Sequence, residues 1–137
     1  MKSVNQKIMR HPETGATLKR TRRVETVSYM GMTKQVEIEG WFPDDDGDGL
    51  LMGDDSLPLD KALAELKAAY LKQTKALAKK VRASTGLTQK DASLLLTGSP
   101  NSFSKYERGV AQPSWPTYVL LKLLDRQPKL IETIRTV

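Results

Sequence analysis

Leu87-Thr88-Gln89-Lys90-Asp91-Ala92-Ser93, followed after a short gap by Ser104-Lys105-Tyr106-Glu107-Arg108-Gly109 and Pro113, reads as two short helices joined by a tight turn. Thr88 is a good N-cap for a helix with apolar positions Ala92, Leu94, Leu95 and Leu96, and Gly98 supplies the left-handed geometry that ends it. Ser99 is expected to cap the next helix, with Pro100 at its first position, where a missing N–H costs nothing. That second helix, expected over roughly 100–108, is short and mostly polar. Phe103 and Tyr106 form its inward face and leave Asn101, Ser102, Ser104 and Lys105 facing out. Outward amide, hydroxyl and ammonium groups suit a major groove, where they meet the donors and acceptors of base edges. The competing reading is a solvated surface helix in an ordinary bundle.

Charge supports the first reading. The chain of 137 residues is long enough for one or two small domains, and its net charge of +6 is unevenly spread. From Leu71 onward there are 12 Lys/Arg against 4 Asp/Glu; from Met1 to Tyr70 there are 10 against 12. A basic half carrying the two-helix motif is the electrostatic footprint of a nucleic-acid binder. No apolar run reaches transmembrane length, so no membrane partner is expected. No signal-peptide pattern opens the chain, which makes the cytoplasm the expected location. The lack of cysteine excludes disulfides and thiolate metal sites. No nucleophile–base–orienter pattern surrounds His11, which reads as an exposed loop residue. Hence no catalytic residue, no cofactor and no enzymatic activity are expected.

Along the chain, the expected fold is α+β: a small N-terminal β-hairpin module over 1–57, then an all-α five-helix domain over 58–137. The helix-turn-helix would lie at about 88–108. The hairpin runs from about Thr17 to Trp41, with polar and apolar residues alternating on either side of a Met30-Gly31-Met32 turn. A long helical pattern opens at Leu57-Pro58 and ends at Gly86, with apolar positions Leu59, Leu63, Leu66, Tyr70, Leu77 and Val81. Whether it is one helix or two with a break near Gln73-Thr74 is open. Two further helices are expected over Pro116–Leu124 and Pro128–Ile134. Trp115 is expected in the core or at a dimer seam.

Two other stretches carry chemistry. Asp44, Asp46, Asp48, Gly49 and Asp55 fall at positions one, three, five, six and twelve of a calcium loop, although a bidentate Glu is usual at twelve and the preceding segment is strand. The alternatives are a solvated acidic loop, or one that mimics phosphate or docks on a basic partner. The run Lys19-Arg20-Thr21-Arg22-Arg23 could contact nucleic acid or an acidic partner, or be a solvated strand end.

The residues from Leu77 to Leu124 resemble the Cro/repressor (Xre) class of helix-turn-helix domain. Arg82 lies seven residues before Gln89, and Glu107-Arg108-Gly109 closes the second motif helix before Pro113. The resemblance implies that Arg82 and Glu107 form a structural ion pair rather than reading DNA. It places Gln89, flanked by Thr88 and Lys90, beside the phosphate backbone. The match narrows to the MqsA/YgiT-type antitoxins, in which an Asn and a basic residue four positions later read bases. Here these are Asn101 and Lys105, with Ser102 and Ser104 on the same helix. The best-known member of the family has Arg where this chain has Lys105, and a point charge lacks bidentate geometry.

Such antitoxins begin with a zinc knuckle. This chain keeps its skeleton in His11-Pro12-Glu13-Thr14-Gly15, Tyr29-Met30-Gly31 and Phe42-Pro43-Asp44-Asp45, with all four thiolates gone. No zinc is therefore expected; Val24, Val36, Ile38, Trp41 and Phe42 would hold the module instead. Taken together, the residues point to an antitoxin-like transcriptional autorepressor. As a homodimer it would bind a palindromic operator in double-stranded DNA, and it would neutralise a partner toxin, expected to be a small ribonuclease. The competing functions are a plain repressor without a toxin, and a calcium-responsive or protein-interaction module.

Overall fold

A computed structural model of the chain describes residues 8–137; the first seven positions of the expected N-terminal module lie outside the described residues. The fold is α+β, three antiparallel strands followed by five helices. Two compact units part between Leu66 and Lys67.

The strands of the first unit are β1 (Ile8–Arg10), β2 (Thr17–Tyr29) and β3 (Met32–Phe42), in the order β1-β2-β3. The expected hairpin is therefore one part of a three-stranded sheet. β1 joins it because the turn at Pro12–Gly15 folds Met9 opposite Leu18. That turn closes through His11 N–H to the Ala16 carbonyl (2.8 Å) and Gly15 N–H to the His11 carbonyl (3.0 Å). The expectation of an exposed His11 is overturned: the residue is 6 % exposed, and its Nδ1 accepts the amides of Glu13 (3.1 Å) and Thr14 (3.3 Å). β2 and β3 meet at Met30-Gly31, both left-handed (φ 48° and 80°), as a type I′ hairpin turn requires.

Leu18, Ile38 and Phe42 are buried in this unit. Val24, expected among the residues that hold it, is 56 % exposed, and Val36 and Trp41 are half-buried. What secures the loop after β3 is charge. Arg20 grips both carboxylate oxygens of Asp55, at 2.7 Å on one side, and also reaches Glu39 at 3.2 Å. Arg23 donates to the carbonyls of Gly47 (3.0 Å), Asp45 (2.8 Å) and Pro43 (3.3 Å), its guanidinium 4.3 Å over the Phe42 ring. Lys19 pairs with Asp44, and Arg22 with Glu37 and Glu39. The basic run is thus consumed inside its own unit.

The same contacts dispose of the calcium pattern. Its position-seven carbonyl, Leu50, accepts the Trp41 amide at 3.0 Å, and its position-twelve carboxylate, Asp55, is held by Arg20. Gly49 permits that close return: a Cβ there would lie 2.4 Å from both the Trp41 carbonyl and the Phe42 ring.

The five helices are α1 (Leu57–Thr85), α2 (Gln89–Thr97), α3 (Ser102–Arg108), α4 (Trp115–Arg126) and α5 (Leu130–Arg135). α1 is one unbroken helix of 29 residues. Thr74 does not break it, because its hydroxyl donates back to the Leu71 carbonyl at 3.2 Å. The buried stripe of α1 is Ala62, Leu66, Tyr70, Thr74, Ala78 and Val81, half of it small residues that a count of large apolar side chains passes over. In the second unit Ala78 and Val81 join Leu96, Phe103, Leu121 and Leu124 in one core, while the buried Tyr70 hydroxyl donates to the Pro113 carbonyl at 2.9 Å. Trp115 is not in that core; it is 47 % exposed. Among the described residues no helix is long and apolar enough to cross a membrane.

The grip of Arg20, aided by the Met52 amide, lowers the Asp55 carboxyl from 3.8 to about 2. A lowered carboxyl stabilises the fold above its ordinary range and loses that contribution as the pH falls from about 4 towards about 2. Asp55→Asn is expected to remove about 1.5–3 kcal/mol at neutral pH, the range of a hydrogen bond to a charged group. It should also flatten the acid limb of the stability curve, as followed by thermal melts at stepped pH.

Candidate nucleic-acid interface

Thr88 caps α2 as its sequence suggests: the backbone is extended, and the hydroxyl accepts the Asp91 amide at 3.0 Å. Gly98 ends the helix in the left-handed region (φ 75°). The expected start of α3 is corrected. Ser99 and Pro100 lie in the turn, and the helix begins at Ser102 with Asn101 as its flanking residue. Ser99 does not cap it; the Ser99 amide instead donates to the Thr97 hydroxyl at 3.2 Å. Asn101 makes no side-chain capping bond, so its amide is left facing solvent.

Two hydroxyls set the angle of α3 on α2. Ser93 is buried, donates to the Gln89 carbonyl at 2.7 Å and accepts the Phe103 amide at 2.8 Å. It satisfies an amide of the first turn of α3 that the helix itself leaves unpaired. Thr97 donates to the Ser93 carbonyl at 2.6 Å and sits 2.9 Å from the Ser102 hydroxyl. Ser102 is therefore half-buried and engaged. The sequence reading did not single out Ser93; its signal was a lone hydroxyl inside the apolar run of Ala92 and Leu94–Leu96.

Arg82 and Glu107 form a two-pronged ion pair, Nε to Oε2 at 2.7 Å and Nη2 to Oε1 at 3.0 Å. Arg82 also reaches the Leu87 carbonyl at 3.5 Å, and the Gln89 amide donates to Glu107 at 3.4 Å. The Arg82 guanidinium holds the Glu107 carboxyl below the usual carboxylate range, against the effect of burial. One carboxylate thus links α1, α2 and α3.

With Phe103, Tyr106 and Glu107 turned inward, the outer side of α3 carries Asn101 and Lys105, both exposed, with Ser104 half-buried between them. The Lys105 amide bonds the Asn101 carbonyl at 3.4 Å, which puts the two residues one turn apart. Thr88, Gln89 and Lys90 are exposed at the N-terminus of α2. The array offers an amide, two ammonium groups and hydroxyls, all suited to base edges and phosphates.

The model of the family described as the antitoxin component of a bacterial toxin-antitoxin system, MqsA, matches residues 9–135. This chain belongs to the MqsA antitoxin family. The match takes in the sheet and the helices alike. Antitoxin MqsA of Escherichia coli (strain K12) is 50 % identical over 56 residues, which span 41 % of this chain and 43 % of that protein. The zinc knuckle that the sequence resemblance implies does not fit the donors present here. There is no cysteine, and His11 has committed Nδ1 to two backbone amides. Among the described residues no three His, Asp or Glu side chains converge where they could hold a metal ion.

Arg82→Ala strands the buried Glu107 carboxylate and is expected to destabilise the chain by ~1–4 kcal/mol, between the limits for exposed and buried pairs. Glu107→Gln, which keeps a partner for Gln89, should be milder. Because the Glu107 carboxyl is lowered, this contribution is present above the usual carboxylate range and fades as the pH falls. Elemental analysis of the purified protein should find no stoichiometric zinc, and EDTA should leave its melt unmoved.

Proposed function

We propose that this chain is a non-enzymatic antitoxin that represses transcription by binding DNA through α3. Asn101 and Lys105 read base edges, and Thr88, Gln89 and Lys90 meet the phosphate backbone. The observation that carries this reading is the placement of Asn101 and Lys105 one turn apart on the solvent side of a helix whose other side is fully engaged. An amide makes paired hydrogen bonds to adenine, and an ammonium donates to the acceptors of guanine. Ser104 lies on the same outer side; Ser102, held by Thr97, supports the turn rather than the base contact. The excess of 12 basic over 4 acidic residues after Tyr70 supplies the non-specific, salt-dependent part of the affinity.

The active form is a homodimer on a palindromic operator, one α3 in each of two successive major grooves. The exposed row Trp115, Val119 and Leu123 on α4, at four-residue spacing, supports a seam between copies. The sheet unit meets the toxin, a small ribonuclease encoded beside this chain. Its arginines are paired internally, which leaves it unsuited to phosphate and favours a protein partner.

Asn101→Ala and Lys105→Ala should each weaken binding to the promoter duplex by about 1–3 kcal/mol, with much smaller losses on a scrambled duplex. Gel-shift titrations on both duplexes measure this. Equal losses on the two would show that these residues do not read bases.

A further inference from the structure

The loop that follows α3 carries no charge. Between Arg108 and Lys122 the chain has neither an acidic nor a basic residue, and Arg108 is folded back, its Nε donating to the Ser104 carbonyl at 3.3 Å. Further cations at that end of α3 come from α1. Lys75, Lys79 and Arg82 fall at i, i+4 and i+7 and share one side of that helix. Arg82 is locked on Glu107, the carboxylate that Gln89 of α2 also reaches. The Lys75 stem lies over Gly109, where a Cβ would stand 3.4 Å from its Cδ. Glu107, held low by Arg82 and then Gln89, also feels a weaker pull from Lys79 at longer range. Both lysines are exposed. Lys80, one position on, turns away and pairs with Asp125 of α4 at 3.1 Å. What marks Lys75 and Lys79 among the many cations of this unit is their place, beside the end of α3 and around the carboxylate that ties α1 to α2.

We infer that Lys75 and Lys79 of α1 contact DNA phosphates, carrying the backbone onward from the N-terminus of α2 past the end of α3. The inference rests on the DNA-binding reading and extends its footprint to a third helix. Arg82 already neutralises Glu107, so the two ammonium charges are not cancelled where they stand. They flank α3 rather than occupy its outer side, where Asn101 and Lys105 lie, so they bear on position and affinity and not on sequence. A compact ammonium on a flexible stem suits this role, because it can follow a phosphate without a fixed geometry. The rival role is structural: a cation near the C-terminal end of α3 also favours its helix dipole. The two roles separate by salt dependence, since only phosphate contacts release counterions from DNA.

The test compares the full chain with Lys75→Gln combined with Lys79→Gln, and with a charge-matched control, Lys80→Gln combined with Lys129→Gln. Each is titrated by fluorescence anisotropy against the promoter duplex and a scrambled duplex, between about 50 and 200 mM salt. Each phosphate contact contributes about 0.9 to the slope of log affinity against log salt, so the first variant is expected to lose about 1.8 of slope. The loss should be equal on the two duplexes and the melt unchanged, while the control keeps the parent's slope. Equal flattening by both variants, a loss confined to the promoter duplex, or a parental slope in the first variant, whatever its melt, overturns the inference and leaves the DNA-binding reading standing. A parent that binds both duplexes alike overturns base reading by Asn101 and Lys105, and the slopes still decide the role of Lys75 and Lys79. A parent that binds neither duplex overturns the DNA-binding reading and this inference with it.

Discussion

The helical unit depends on one buried carboxylate. Glu107 is 7 % exposed, and a charge so placed is tolerated only when it is paired. Arg82 supplies the pair from α1 and Gln89 adds a donor from α2. Because α3 is a helix of only 7 residues, propensity alone cannot hold it. Its orientation comes from Glu107 at one end, from the Ser93 bond to the Phe103 amide at the other, and from Phe103 and Tyr106 between them. Everything assigned to Asn101 and Lys105 follows from what the inward side has already used.

The sheet unit meets a related problem by a similar device. Three strands of this size need some staple. Here guanidinium groups serve. Arg23 gathers three loop carbonyls, and Arg20 takes Asp55 with two parallel hydrogen bonds. A guanidinium keeps its charge at any physiological pH and offers five donors in a fixed plane, so it can hold carbonyls that zinc would not choose.

Much of the helical half was legible in the sequence because its signals are local. Thr88, Gly98, Phe103 and Tyr106 act through near neighbours, and spacing is enough to read them. Pro100 misled: its fitness for a first helical turn suggested an earlier start, but the chain uses it in the turn, and α3 waits until Ser102. The long helix could not be read as one piece, since Ala62, Thr74 and Ala78 carry half of its buried stripe without large apolar side chains. The β half was less legible because its contacts are distant in sequence. Arg20 meets Asp55 across 35 positions, so a clasp looked like a solvated basic run. His11 looked exposed for the same reason: its burial depends on the strand pairing of Met9 with Leu18, which a β1 of only 3 residues hardly announces.

The proposed function divides the molecule into a DNA-reading helical unit and a partner-binding sheet unit. Amide shift mapping of the full chain with the promoter duplex upstream of its own gene, against a scrambled duplex, tests that division directly. The expected result is promoter-specific perturbation at residues 88–90 and 99–108, with the sheet unmoved. Perturbation centred on Lys19–Arg23, or an α3 that does not respond to the promoter duplex, would contradict it.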